Sequence, residues 1–224
     1  MSRAAPSGRS SAAASRTVRT SPAGYVLVVG PDGCGKTMVI DRLHAMADAA
    51  GVKVVRVFWR PKLVPGGLTY GYRAGHAPAT PTRPPLGAAV RLVLTLLDFA
   101  VASAVPWRTA RRRGLLFVQR GWYDMVVDPA RYGLSSRLAG IAEEMGRLVV
   151  RADLVLVLRG DPDAIRARKP ELTTEQIGGQ IDAWRRLAPR AARRVLELDT
   201  VSSPADGIAR IAWEALPRGV RRAA

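Results

Sequence analysis

The chain has 224 residues, a length that supports one α/β domain with a substantial core. Its formal net charge of +17, from 31 Arg and 4 Lys against 18 acids, points to anionic partners: nucleotides, phosphorylated substrates, nucleic acid or a membrane surface. With one cysteine, Cys34, a disulfide framework within the chain is excluded, which fits a reducing cytoplasm.

Residues 1–22 are Ser, Ala and Arg without an acid, lack the apolar core of a signal peptide, and read as a disordered basic tail. Tyr25–Val29 is a short buried strand that runs into Gly30-Pro31-Asp32-Gly33-Cys34-Gly35-Lys36-Thr37, a stretch of the form G-x-x-x-x-G-K-[ST]. Its glycines let the chain curl with backbone N–H groups turned inward around phosphate oxygens. Lys36 then reaches the outer phosphates of a nucleoside triphosphate, and the Thr37 hydroxyl holds Mg²⁺. A helix from Met38 to Ala50, apolar at Val39, Ile40, Leu43 and Ala47, sets the positive end of its dipole behind those phosphates.

Gly51 stops that helix, and Val52–Phe58 is the second strand. Trp59–Pro85 is rich in Pro and Gly without a period, and a loop this long inside a domain is usually functional. Arg60, at the strand end, offers a guanidinium fork to an acceptor phosphate or carboxylate. Leu86–Val105 is strongly apolar, but Arg91 and Asp98, seven residues apart, share a helix face. That argues for a buried helix with a polar edge turned to a site or to solvent, not a membrane span. A basic turn with Arg108, Arg111, Arg112 and Arg113 leads into the third strand, Gly114–Gln119.

Arg120 follows directly, where a cation stabilises a phosphoryl group in transit. Asp124 and Asp128 lie four and eight residues on, each suited to accept a hydroxyl proton, orient an acceptor or hold metal-bound water. Ser135 or Ser136 caps a helix to about Val150, Asp153 opens the fourth strand Leu154–Leu158, and Asp161 caps a short helix with Pro162 first. That helix ends in Arg166, Arg168 and Lys169, a basic lid at about residues 166–175 over the donor phosphates. Thr173 or Thr174 caps a helix to about Leu187; Val195–Leu198 and Pro204–Leu216 are the last strand and helix. Strands that are continuous Val/Leu runs alternating with helices specify an α/β fold: a five-stranded parallel sheet in three layers, helices on both faces, ligands at the strands' carboxyl ends. It spans residues 23–217, with 218–224 a basic C-terminal tail.

With these residues in view, the chain resembles the thymidylate kinase family of P-loop kinases from about Tyr25 to Leu216. The loop Gly-x-Asp-Gly-x-Gly-Lys-Thr is typical of that family. The resemblance implies the P-loop NTPase fold, a sugar contact for Asp32, an acceptor-phosphate contact for Arg60, which precedes Pro61, and a charge-stabilising role for Arg120. It places Arg168 where the family's lid begins. The closer resemblance is to a divergent branch often found with bacterial polysaccharide-biosynthesis genes, through the run from Arg120 to Tyr132, which contains Tyr123, Asp124 and Asp128, and the run from Arg168 to Leu172. The implied function is ATP- and Mg²⁺-dependent phosphotransfer of the nucleoside monophosphate kinase type to a nucleotide or a sugar or glycan acceptor. Lys36, Arg120 and Arg168 would be catalytic, Gly30 to Thr37 with Arg168 and Lys169 would hold the donor, and Asp32, Arg60, Arg120, Tyr123, Asp124 and Asp128 the acceptor. A homodimer through the long apolar helix is also implied.

Two departures stand out. The family's Asp before the motif Arg is Gln119 here, which shifts a metal onto Thr37, water and Asp124. Lys62 follows Pro61 where the family has Glu. Gln119 motivates a rival reading, a nucleotide-binding regulator with little turnover. Specific nucleic-acid binding is not expected: no such module is visible, and 6% aromatic content offers few stacking platforms.

Overall fold

The structure, a computed structural model, describes residues 24–69 and 84–216. The two expected tails and the middle of the Trp59–Pro85 loop lie outside the described residues. Five parallel strands form one sheet in the order β2-β3-β1-β4-β5. They are β1 Gly24–Val29, β2 Lys53–Phe58, β3 Gly114–Gln119, β4 Leu154–Arg159 and β5 Val195–Asp199. The register sets Val26 beside Phe117 on one side and Leu154 on the other. β1, β3 and β4 are buried almost throughout, whereas the edge strand β2 has exposed Lys53, Val55, Arg56 and Phe58.

Side-chain alternation sorts the sheet into two cores. Tyr25, Leu27, Val29, Leu116, Val118, Val155 and Val157 face one side, and Val26, Val28, Leu115, Phe117, Leu154, Leu156 and Leu158 the other. On the first side lie α2 (Pro85–Ala104), α3 (Pro106–Arg113), α5 (Ser136–Met145) and part of α7 (Thr174–Ala191). α1 (Lys36–Ala49), α8 (Ala205–Ala215), α6 (Pro162–Arg168) and the start of α7 cover the second. The short α4 is Asp124–Val127. The expected α/β sandwich is present: a five-stranded parallel sheet between helical layers.

Local chemistry accounts for most helix ends. The Asp161 side chain accepts from the Ala164 N–H, and Thr173 forms a reciprocal capping box with Gln176. Several boundaries differ from the sequence reading; α7, expected to end near Leu187, runs on to Ala191. The expected basic turn after α2 is the helix α3, because Pro106 presets its first turn, Arg is a good helix former, and buried Trp107 anchors it against Tyr25 and Phe99 at ring distances of 5.5 and 5.6 Å. α5 ends at Met145 instead of Val150; Gly146, a poor helix former, starts a 3-10 turn directly under the Tyr123 ring.

α2 by length and hydropathy is long enough to cross a membrane. Its inner face is nonetheless built into the protein, with Ala88, Leu92, Thr95, Asp98, Phe99 and Ala102 buried. The polar edge read from Arg91 and Asp98 faces the loop after β2. Arg91 Nη1 donates to the Gly66 carbonyl at 3.2 Å and the Leu68 N–H donates to Thr95 Oγ1 at 2.8 Å.

Candidate active site

The carboxyl ends of β1, β2 and β3 and the end of α6 converge on one cavity of about 510 Å³, lined by Asp32, Gly33, Gly35, Lys36, Thr37, Met38, Phe58, Gln119, Arg120, Arg168 and Lys169. Its floor is the Gly30–Thr37 loop. Gly30, Gly33 and Gly35 have φ of 140°, 89° and 85°, so the backbone curls in the left-handed region before α1 begins at Lys36. A Cβ on Gly30 would run into the Leu158 carbonyl and the Cys34 sulfur, so the tight turn after β1 requires glycine. Cys34 is fully buried behind the loop, and burial pushes its thiol pKa up.

Lys36 is 5% exposed, and its ammonium is turned into the loop. It donates to the Gly30 and Pro31 carbonyls at 2.8 and 2.6 Å and meets Asp32 at 3.3 Å. Asp32 is the hub. Lys36, Arg120 and Arg131 all converge on its carboxylate, with Arg131 Nη1 at 2.5 Å from Oδ2. Burial alone would raise the Asp32 pKa; Lys36, Arg120, Arg131 and Lys169 outweigh it and hold the carboxyl well below the usual range. Arg120 has φ 75° and Gly121 φ 71°. This paired left-handed turn brings the Arg120 guanidinium back over the loop, between Asp32 and Asp124 at 3.2 Å.

The network extends away from the loop. The Tyr132 hydroxyl donates to Asp124 at 2.5 Å, Arg131 Nε donates to Asp128 at 3.0 Å, and Gln180 Nε2 donates to Asp128 at 3.2 Å. Trp59 packs on Tyr132 with ring centroids 4.8 Å apart. Thus Asp32, Lys36, Arg120, Asp124 and Asp128 belong to one connected group. Arg131, Tyr132 and Gln180 join it without having been singled out. Arg131 and Tyr132 carried a signal in the Asp-Pro-x-Arg-Tyr run; Gln180 on α7 carried none. Arg168, at the end of α6, lines the cavity while its Nη1 donates to the Thr200 carbonyl at 3.2 Å. Lys169 also lines it and lies 3.2 Å from Glu171.

Two expected acceptor residues sit elsewhere. Arg60 is 9% exposed, and its Nη1 is bound to Asp98 of α2 at 2.7 Å and to the Val64 carbonyl at 3.2 Å, so α2 takes the guanidinium. Tyr123 is packed against Gly146 beneath the sheet's first face; its hydroxyl finds no hydrogen-bond partner among the described residues, and burial raises its pKa.

Asp128 contrasts with Asp32. Burial pushes its pKa up; Arg131 pulls it down, but Asp124 adds to the rise. Folding therefore binds a proton more tightly at Asp128, and its contribution to stability falls as pH rises from the unfolded value near 4 through the folded one. Asp32 has the opposite sign: its contribution is present above about pH 4 and is lost as pH falls. Asp128→Asn is expected to remove the first effect, so that from about pH 4 upward the variant's melting temperature rises more, or falls less, with pH than the parent's. Melting curves across that range that run parallel for parent and variant would rule this out.

The cavity fits a nucleotide phosphate chain: inward-curled glycines, the N-terminus of α1, and four cations, Lys36, Arg120, Arg168 and Lys169. Among the described residues no cluster of three or more His, Cys, Asp or Glu forms a metal centre. A divalent cation here would share its shell between Thr37, water and the phosphates.

The fold has a solved counterpart. It is similar to that of a thymidylate kinase from Candida albicans, with a TM-score of 0.59 and 14% sequence identity over 86% of this chain and 90% of that one. The fold is thymidylate kinase-like. That enzyme is described as having broad substrate specificity. No protein-family profile matches the chain, and no curated protein matches it in sequence. The likeness is one of architecture.

Proposed function

We propose that the chain is an ATP-dependent phosphotransferase of the nucleotide-kinase type, a divergent relative of the thymidylate kinases working in the cytoplasm through a domain of residues 23–217. The convergence of Lys36, Arg120, Arg168 and Lys169 on a cavity floored by a left-handed glycine loop carries this reading. The loop N–H groups would hold the donor phosphates, and the Lys36 ammonium would exchange the Gly30 and Pro31 carbonyls for an outer phosphate. Thr37 would hold Mg²⁺, which supplies neutralisation of phosphate charge when bound. Arg120 and Arg168 would stabilise the charge that spreads during transfer, and the α6–α7 segment would exclude water.

Asp32, Asp124 and Asp128, fixed by Arg131, Tyr132 and Gln180, would orient a small-molecule acceptor, a nucleotide or a hydroxyl-bearing sugar or glycan group. Arg60 is given no acceptor role, because Asp98 already takes its guanidinium. Gln119 lines the cavity where the resembling family has a carboxylate, and it favours a second reading, a nucleotide-binding regulator with little turnover.

Calorimetry of the full chain with ATP and GTP, with and without Mg²⁺, followed by single-turnover transfer from γ-labelled nucleotide to nucleoside monophosphates, sugars and sugar phosphates, separates the two. Transfer faster than background hydrolysis supports the kinase. Magnesium-dependent binding without transfer to any acceptor supports the regulator, and no binding overturns both.

A further inference from the structure

Three arginines are buried among the described residues, Arg60, Arg120 and Arg131, and all lie in the segments that follow β2 and β3. Each is committed to carboxylates. Arg60 is the most firmly held. Its Nη1 donates to Asp98 and to the Val64 carbonyl, and the Trp59 ring lies 5.7 Å from its guanidinium carbon. Gly67 covers it so closely that a Cβ there would come within 3.2 Å of Nη1. Lys36 can turn to a phosphate, because it leaves behind two neutral carbonyls and an Asp32 that keeps Arg120 and Arg131. Arg60 cannot, because it would leave a wholly buried Asp98 carboxylate without its counter-charge.

Arg131 bridges Asp32 and Asp128, and Arg120 bridges Asp32 and Asp124. Three carboxylates thus share two guanidiniums, and the group is net negative once Lys36 turns to the donor. Such a group repels the phosphate of an acceptor. It does not repel a neutral hydroxyl, and its carboxylates are the hydrogen-bond acceptors that a hydroxyl needs. We propose that the phosphoryl acceptor is an uncharged compound bearing a hydroxyl, such as a free sugar or a nucleoside, and that Asp128 takes the proton of that hydroxyl. This rests on the phosphotransferase reading and narrows its acceptor.

A hydroxyl has a proton to lose, whereas a phosphate acceptor is already ionised near neutral pH and needs no base. In the transfer the hydroxyl oxygen bonds to the γ-phosphorus as the bond from that phosphorus to the β,γ-bridging oxygen breaks. ADP leaves with the electron pair, and the proton passes to a carboxylate. Asp128 is the one placed to receive it. Both oxygens of Asp32 are on cations, and Asp124, its side chain only 5% exposed, holds Arg120 and the Tyr132 hydroxyl. The Asp128 side chain is 14% exposed, and among the described residues its Oδ1 accepts only the Arg131 N–H, at 3.3 Å. Burial also pushes the Asp128 pKa up, toward the range in which a carboxylate works best as a base.

Probes paired so that they differ only by a phosphate test the acceptor class: thymidine against thymidine monophosphate, glucose against its primary phosphate ester, and glycerol against glycerol phosphate. Each is given to the full chain with Mg²⁺ and γ-labelled ATP in a single turnover. In any pair that is used, the uncharged member is expected to take the label faster by about tenfold or more. Its product should give the single uncoupled phosphorus resonance of a monoester, not the coupled pair of a diphosphate. Asp128→Asn is expected to lower kcat for that acceptor by about 10²–10⁴-fold, with the calorimetric affinity for ATP within about threefold of the parent's. Faster use of a phosphorylated partner, or a diphosphate product, overturns the acceptor class while leaving the phosphotransferase reading intact. A variant kcat within about threefold of the parent's overturns the role given to Asp128. Magnesium-dependent ATP binding with no probe of either kind used removes the phosphotransferase reading, and this inference with it.

Discussion

Lys36→Met is expected to slow phosphoryl transfer by about 10²–10³-fold or more while leaving the domain folded. The lysine stem is buried, and its ammonium contacts two carbonyls of its own loop, Asp32 and, at 3.9 Å, the Cys34 sulfur. Methionine keeps much of the stem's volume and lacks the charge. A preorganised donor aimed at developing negative charge is worth about 3–4 kcal/mol in comparable sites, which sets the size of the rate loss. The stability cost is smaller. Two carbonyl hydrogen bonds of about 1 kcal/mol each disappear, and Asp32 keeps Arg120 and Arg131. Single-turnover transfer should therefore collapse while the melting temperature falls by only a few degrees. Arginine should not restore the rate, because its planar fork needs room that a buried, 5% exposed position lacks. A transfer rate within threefold of the parent would show that the glycine loop is not where the chemistry happens.

The sheet and the glycine loop were legible in the sequence because both rest on local signals. Val26–Val29, Leu115–Val118 and Leu154–Leu158 are continuous apolar runs that only a doubly covered parallel sheet accommodates, and Gly30 to Thr37 announces its own curvature. The acceptor side was legible only in part, since its geometry depends on contacts distant along the chain. Tyr123, next to Asp124, reads as an acceptor contact, whereas Tyr132, eight residues beyond Asp124, carries no such reading. The turn of α4 sends the Tyr123 ring under the sheet toward Gly146, while the 3-10 turn at Pro129–Tyr132 brings the other hydroxyl back to Asp124. Arg60 stands at a strand end, where a ligand contact is the natural expectation. Nothing local says that an aspartate 38 residues later will take its guanidinium first. Gln180 could not have been picked from α7, where it reads as one more polar position of an amphipathic helix.

Asp98→Ala is expected to be strongly destabilising, costing about 3–5 kcal/mol. Asp98 is wholly buried on the inner face of α2. One of its oxygens accepts the Leu63 and Val64 N–H groups at 2.6 and 2.9 Å, and the other accepts the Lys62 N–H at 2.9 Å and Arg60 Nη1 at 2.7 Å. Three successive amides form a nest around an anion, and Lys62 adopts the left-handed φ of 63° within it. Removing the carboxylate strands the Arg60 charge at 9% exposure, and an uncompensated buried charge sets the scale of the loss. The orphaned amides add less than their full desolvation cost, because the loop can open to water. For a domain of this size the melting temperature should fall by about 6–20 °C, with faster proteolysis within residues 59–69. Asn is a poor rescue: one oxygen can still serve two amides, but its NH₂ group then faces Arg60 and the Lys62 N–H, donor against donor. Arg60→Leu in the Asp98→Ala background should recover part of the loss by removing the stranded cation, and the double-variant cycle measures how much. A recovery near zero would mean that the amide nest, not the ion pair, holds the loop. A loss below about 1 kcal/mol in the single variant would mean that α2 does not anchor it at all.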